Sequence, residues 1–311
     1  VKPQAQITSH IMMVRPANFG YNEETAANNA FQTKETTLTN LEIKNKAVLE
    51  FDGLVQKLMD AGVNIYLIED IPSPVNPDAV FPNNWVSFHE NGTVITYPMF
   101  APVRRNERRE EILEKIREDF EIIKRLYFEY GEKKNKFLEG TGSMVIDRQN
   151  QIVYACRSVR TNEEMLDHFC EELDVEEVLF DAVDENGMPI YHTNVMMALG
   201  ETFVVICLDT IRDINERHEL LERFEETDKE VIEISLEQMS AFAGNMLQVR
   251  NNAGESILVM SQQAFESLDE EQIEQIESHT QILYSDISTI EKFGGGSARC
   301  MIAEIFLPVK E

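Results

Sequence analysis

Apolar and polar residues alternate in short paired runs along this chain, and most pairs are followed by a stretch in which apolar residues return every three or four positions. WVSFHENGTVITYPMF (85–100) sets two alternating segments around Asn91-Gly92, a strong short-range hairpin signal. The next stretch, NERREEILEKIREDFEIIKRLYFEY (106–130), has the apolar spacing of an amphipathic helix. GSMVIDRQNQIVYACRS (142–158) predicts a second hairpin, leading into TNEEMLDHFCEEL, where Thr161 and Glu164 stand at capping-box spacing. TNVMMALGETFVVICLDTI (193–211) precedes NERHELLERFEE, and GNMLQVRNNAGESILVMSQ (244–262) precedes AFESLDEEQIEQIESH.

Two strand-like runs stand outside this series. HIMMVRP (10–16) has no hairpin partner before it, and ARCMIAEIFLP (298–308) has no helix after it. Together they complete a fifth unit. Pairs of strands followed by a helix could also build an open α+β sheet. The completion of the broken unit favours an α/β ring that joins the C-terminal strand to the N-terminal one and leaves no uncapped end. The expected organisation is a single catalytic domain over 1–311.

Composition narrows the function. The chain has 311 residues, 43% of them hydrophobic, which is enough for a real core. Its formal net charge of -28 disfavours nucleic acid and anionic lipid as partners and points to a small-molecule substrate. No run approaches the ~18 to 20 apolar residues of a membrane span, and VKPQAQITSHIMMVRP lacks the apolar core of a signal peptide, so a cytoplasmic location is expected. Four cysteines without a CxxC pair argue against a disulfide framework and a structural zinc site.

Chemistry-bearing residues gather where the hairpins begin. FLEGTG carries Glu139, YHTN carries His192 and Asn194, FPNN carries Asn83 and Asn84, and GGGSARC brings Cys300 to the last strand. Units arranged about one axis would converge these positions at one end of it. Each residue alone has an ordinary explanation: a core cysteine, a structural histidine, a turn glutamate. Jointly they suit a nucleophile, because a thiol needs a base and a carboxylate to orient that base. No HxxxH, HxH or CxxC spacing supports a metal site, and no cofactor is expected.

FLEGTGSMV, YHTNVMM, SVRTNEE and GGGSARCM resemble, in order and spacing, the guanidine-modifying superfamily of arginine deiminases, dimethylarginine dimethylaminohydrolases and amidinotransferases. The resemblance spans nearly the whole chain and implies a fivefold pseudosymmetric α/β propeller. With FPNNWVSFH included, the pattern looks most like the citrulline utilisation hydrolases. It implies Cys300 as nucleophile, His192 as general acid/base and Glu139 as a partner of a substrate nitrogen. Either Arg160 or Arg157 would hold the substrate α-carboxylate, a role that suits an arginine fork.

Two departures bear on the substrate. The resemblance places acidic residues where this chain has Asn84 and Asn194. A guanidinium has five N–H donors and no acceptor, so its binding calls for carboxylates. A ureido group is neutral and has a carbonyl acceptor, which carboxamides can match. The expected reaction is hydrolysis of L-citrulline to ornithine, ammonia and carbon dioxide. The alternatives are a deiminase or amidinotransferase, with Asp78 among the carboxylates that would take over. A third reading is a binding module, since such a propeller also occurs without catalysis in a ribosome anti-association factor. The segment RPANFGYNEETAANN (15–29) is a polar, glycine-containing loop that would serve as a lid or as plain surface. The sequence leaves the oligomeric state open, a homo-oligomer included.

Overall fold

The hairpin signals mark real hairpins, and each is joined by a third strand that the apolar pattern does not announce. The computed structural model describes residues 4–311; the first three residues of the 1–311 unit, and of the N-terminal stretch read for a leader, lie outside the described residues. The strands are β1 (His10–Arg15), β2 (Asn64–Glu69), β3 (Val86–Phe88), β4 (Thr93–Thr96), β5 (Lys124–Tyr127), β6 (Val145–Asp147), β7 (Ile152–Cys156), β8 (Glu176–Phe180), β9 (Met197–Leu199), β10 (Phe203–Ile206), β11 (Glu230–Glu233), β12 (Leu247–Arg250), β13 (Ser256–Ser261), β14 (Gln281–Ser285) and β15 (Ala303–Glu304).

These form five three-stranded sheets: β15-β1-β2, β3-β4-β5, β6-β7-β8, β9-β10-β11 and β12-β13-β14. In every sheet the central strand pairs antiparallel on one side and parallel on the other. The parallel pairing requires a crossover, and a helix supplies it each time. The crossovers are Asn40–Asp60, Glu110–Asp119, Glu163–Leu173, Ile214–Glu226 and the pair Gln262–Ser267 and Glu270–His279.

The stretch 106–130 is therefore not one helix. It begins in a 3-10 turn, Pro102–Glu107, becomes helical over Glu110–Asp119 and ends as β5. Phe120 leaves the helix in extended backbone and is buried, while Lys124–Tyr127 pairs with Thr93–Thr96. Long-range pairing outweighs local spacing there. The cap at 161 also differs. Asn162, not Thr161, is the N-cap, its side chain accepting the Met165 N–H.

The two ends of the chain meet. In β15, Ala303 and Glu304 pair antiparallel with Met12 and Ile11, and Ile305 N–H donates to His10 O at 2.8 Å. A further bridge from Phe88 to Ile305 ties this sheet to its neighbour. The last strand is shorter than its apolar run, so Cys300 lies in a 3-10 turn, Arg299–Met301, ahead of the strand. Among the described residues, no helix is long and apolar enough to cross a membrane.

Candidate active site

Short turns place the chemistry. Pro82–Asn84, Thr193–Val195 and Arg299–Met301 are 3-10 turns and Gly140–Ser143 is a single helical turn, each immediately ahead of a strand. The helical turn Gly140–Ser143 packs against the turns at 82–84 and 193–195, and the turn at 82–84 packs against 299–301. Asn84, Glu139, His192, Asn194 and Cys300 are all at most 3% exposed. Gly142 makes their approach possible: a Cβ there would lie 2.5 Å from Asn84 Nδ2 and 2.8 Å from His192 Nδ1. Gly295 has φ +68°, and its carbonyl accepts hydrogen bonds from Tyr191 Oη at 2.7 Å and Asn29 Nδ2 at 3.3 Å.

Glu139 Oε1 lies 2.8 Å from His192 Nε2 and 3.4 Å from Arg160 Nη1, and Oε2 accepts the Phe100 N–H at 2.9 Å. Burial alone would raise the Glu139 pKa, but the Arg160 charge and the His192 contact outweigh it and hold it at about 2. Burial pushes His192 down to about 4 against the opposing pull of Glu139. An ionised Glu139 can only accept, so His192 Nε2 carries the proton and Nδ1 is left as the basic nitrogen. The direct partners of Glu139 are thus His192, Arg160 and Phe100. This geometry leaves the carboxylate bonded to His192, where it fixes the imidazole orientation, and to Arg160 and the Phe100 N–H.

Two carboxamides hold the thiol. Cys300 Sγ accepts from Asn194 Nδ2 at 3.4 Å and Asn245 Nδ2 at 3.3 Å, and Cys300 N–H donates to Asn245 Oδ1 at 3.4 Å. Asn245 escaped the sequence reading, although its signal was present. It stands two residues ahead of β12, as Asn84 stands two ahead of β3.

Asn84 Oδ1 accepts from Arg104 Nη1 at 2.7 Å, and Asn84 Nδ2 donates to Asn83 Oδ1 at 3.0 Å. Asn83 therefore supports Asn84 instead of capping its own turn. Arg104, also absent from the sequence reading, pairs through two nitrogens with Glu107 at 3.0 Å each and donates to Phe81 O at 3.0 Å. Burial lifts Glu107 to about 7 despite that arginine, and lifts Asp78 as well. Asp78 Oδ2 accepts from Asn22 Nδ2 at 2.8 Å, while its buried Oδ1 has no hydrogen-bond partner.

Arg160 is 2% exposed, and its guanidinium lies 4.9 Å from the Tyr191 ring centre. It donates through Nε to Asn28 Oδ1 at 2.7 Å and through Nη2 to Thr25 O at 2.9 Å. Arg157 faces outward, with its side chain 41% exposed and paired to Glu163, Asp181 and Glu216. Of the two, Arg160 lines the cavity that holds Cys300 and His192, and Arg157 does not. Asp78, Asn84, Arg104, Arg160, His192 and Cys300 all line one cavity, with Thr25 and Asn29 covering it. Two residues of the 15–29 segment, Thr25 and Asn29, thus form part of the site lining.

The family described as eukaryotic N,N dimethylarginine dimethylhydrolase matches residues 15–307. No curated protein sequence matches the chain. Among solved structures, the N-terminal domain of ArgZ carrying a covalently bound reaction intermediate has a TM-score of 0.74 at 17% identity, covering 96% of this chain and 98% of that one. Apo ArgZ, an arginine dihydrolase of the ornithine-ammonia cycle in cyanobacteria, has a TM-score of 0.73 at 16% identity; the match covers 97% of this chain but 41% of that one. A dimethylarginine dimethylaminohydrolase adduct with S-methyl-L-thiocitrulline has a TM-score of 0.65 at 17% identity, covering 96% and 100%. These identities establish a shared fold. With 15–307 matched, the chain belongs to the dimethylarginine dimethylhydrolase family of the guanidine-modifying superfamily, and it is a hydrolase of non-peptide C–N bonds.

Proposed function

We propose that this chain hydrolyses the ureido group of L-citrulline through a covalent Cys300 intermediate. The observation that carries this reading is the 2.7 Å contact from Arg104 Nη1 to Asn84 Oδ1. An arginine only donates, so it fixes the oxygen of Asn84 toward itself and turns the NH2 group toward Asn83 and Gly142. The amide then offers donors. A ureido oxygen can accept them, and a guanidinium, which has no acceptor, cannot. Asn194 and Asn245 likewise present N–H groups at the Cys300 sulfur.

In this mechanism neutral His192 takes the thiol proton at Nδ1, and the Cys300 thiolate attacks the ureido carbon. Donors from Asn84 and Asn194 stabilise the developing oxyanion. His192 returns the proton to the departing nitrogen as the C–N bond breaks. Water then adds to the thioester-like carbon, the C–S bond breaks, and Cys300 is regenerated as a carbamic acid leaves; the carbamic acid loses carbon dioxide, which breaks the second C–N bond and frees the remaining amine. The sum is citrulline plus water to ornithine, ammonia and carbon dioxide, whichever nitrogen leaves first, and it requires no metal or cofactor. Arg160 is the expected anchor for the α-carboxylate, once its bonds to Thr25 and Asn28 are released. The five sheets are read as blades of a fivefold pseudosymmetric propeller over 1–311, which accounts for the convergence of the turns.

A specific observation favours a second reading. The unpartnered Oδ1 of Asp78 borders the same cavity and suits a guanidinium as well as an ammonium group, so hydrolysis of arginine or a methylated arginine is the alternative. Each of citrulline, arginine and dimethylarginine is offered separately, and ornithine, citrulline and ammonia are followed, with Cys300→Ser as control. Ornithine from citrulline, lost in the variant, is the expected result. Citrulline from either guanidino substrate, with no ornithine from citrulline, overturns the ureido assignment.

A further inference from the structure

A second cavity lies behind the nucleophile. It has a volume of about 30 Å³ and is bordered by Thr141, Asn194, Gln248, Arg148, Arg299 and Glu304, among others. Asn194 forms its boundary with the catalytic thiol. The amide nitrogen donates to Cys300 Sγ, whereas Oδ1, in a side chain 1% exposed, has no hydrogen-bond partner. Asn194 borders this rear cavity and not the one lined by His192 and Cys300. An unpaired buried carbonyl oxygen is unfavourable, and a donor placed in the cavity would satisfy it.

Polar side chains, Arg148, Gln248 and Arg299 among them, share the lining with apolar ones such as Val145, Met197 and Leu199. A polar cavity above roughly 10–15 Å³ holds a water molecule when two or more polar groups face it. Arg148 donates to His89 Nδ1 at 3.2 Å and stacks 3.9 Å from the Phe306 ring centre, and it has no carboxylate within ion-pair distance among the described residues. Arg299 pairs with Glu304 at 2.6 Å. The rear cavity thus offers a water molecule an amide acceptor and guanidinium donors within a lining that is in part apolar.

We infer that this rear cavity supplies the water that hydrolyses the covalent intermediate, with Asn194 Oδ1 as the acceptor that holds it next to Cys300. The front of the site is covered by Asn22, Thr25, Asn28 and Asn29, which bond to Asp78, Arg160 and Gly295. With that cover in place and the amino-acid portion of the substrate filling the front cavity, the rear is the open source of water. The water oxygen bonds to the acyl carbon, its proton passes to His192 Nδ1, and the C–S electron pair returns to sulfur. The inference rests on the covalent-thiol part of the proposed function and not on the choice between ureido and guanidino substrates.

The test fills the cavity without touching the catalytic groups. Ala198 borders it on β9, and Ala198→Leu projects additional carbons into it. Rapid-quench intact-mass measurement then reads the fraction of enzyme held as the Cys300 adduct during turnover. The expected result is an unchanged adduct-forming burst, a steady-state rate at least ~10-fold lower, and an adduct that accumulates relative to wild type. Ala198→Gly enlarges the cavity and is expected to show no accumulation; it also serves if the leucine variant does not fold. An adduct fraction unchanged in folded Ala198→Leu, burst and steady state falling together, or an adduct that accumulates in Ala198→Gly overturns the inference. Absence of any adduct in the wild-type enzyme sinks the covalent reading itself, a separate result.

Discussion

The Asn84 amide is held between Arg104, which can only donate, and Asn83, whose oxygen accepts, so its orientation is dictated by its neighbours. Asn84→Asp places an oxygen where the NH2 now stands, against Asn83 Oδ1 and beside the substrate oxygen. Loss of one such donor costs about 10²–10³ in kcat, so ureido turnover is expected to fall by that order, while guanidino turnover does not fall with it. Steady-state kinetics on both substrate classes reads the split; undiminished citrulline hydrolysis removes Asn84 as the selector. His192 offers a second test. Burial holds it neutral to about pH 4, well below the 6.5 of a free imidazole. The acid limb of kcat/KM is expected well below pH 6.5. Glu139→Gln removes the carboxylate that favours imidazolium, so that limb should move to still lower pH while kcat drops. A wild-type limb at pH 6.5 or above contradicts a buried, neutral base.

At the scale of elements, the helix Ser288–Gly294 and the glycines after it connect stability to the site. Glu50 accepts the Thr289 and Ile290 N–H groups at its start, at 3.0 and 3.1 Å, and Glu291 Oε1 accepts from Ser297 Oγ at 2.6 Å, three residues ahead of Cys300. Burial raises the Glu291 carboxyl to about 7 from its ordinary 4.5. The folded chain therefore binds more protons than the unfolded chain between those values, and this contribution to stability is full below about pH 4.5 and lost as pH rises through about 7. Glu291→Gln stays neutral throughout. It should equal wild type near pH 4 and exceed it at pH 8 by on the order of 3 kcal/mol, as read from urea midpoints at the two pH values; a constant difference across pH contradicts the assignment. Such burial is invisible in sequence. So were the third strands: Lys124–Tyr127 is short and charged, and it becomes a strand only because Thr93–Thr96 presents an edge to it. The convergence of Cys300, His192 and Glu139 was legible because scarce chemical groups recur at hairpin starts. Arg104 was not, since it reaches the site from the 3-10 turn Pro102–Glu107 after β4, away from the hairpin starts.

For the whole molecule, the connection between the chain ends was legible because HIMMVRP and ARCMIAEIFLP each lacked what the other supplied, and β1 and β15 do pair. That contact also fixes Cys300, the proposed nucleophile, which is three residues from β15 and has no crossover helix of its own. Ile305 and Leu307 are 1% and 3% exposed and pack with Met12, Val14, Phe88 and Ile112 in a core shared by the first two sheets. Truncating either to alanine removes buried methyl groups and leaves a cavity, at a cost of about 2–5 kcal/mol. If the joined ends make the molecule one cooperative unit, Ile305→Ala lowers the stability of distant sheets as much as its own. Hydrogen exchange then shows protection falling together in β1 and in β10, on a sheet with which Ile305 forms no pairing. A stepwise structure gives the other result: β1 and β15 lose protection, β10 keeps it, and turnover falls because Cys300 is released while the remaining sheets stay intact.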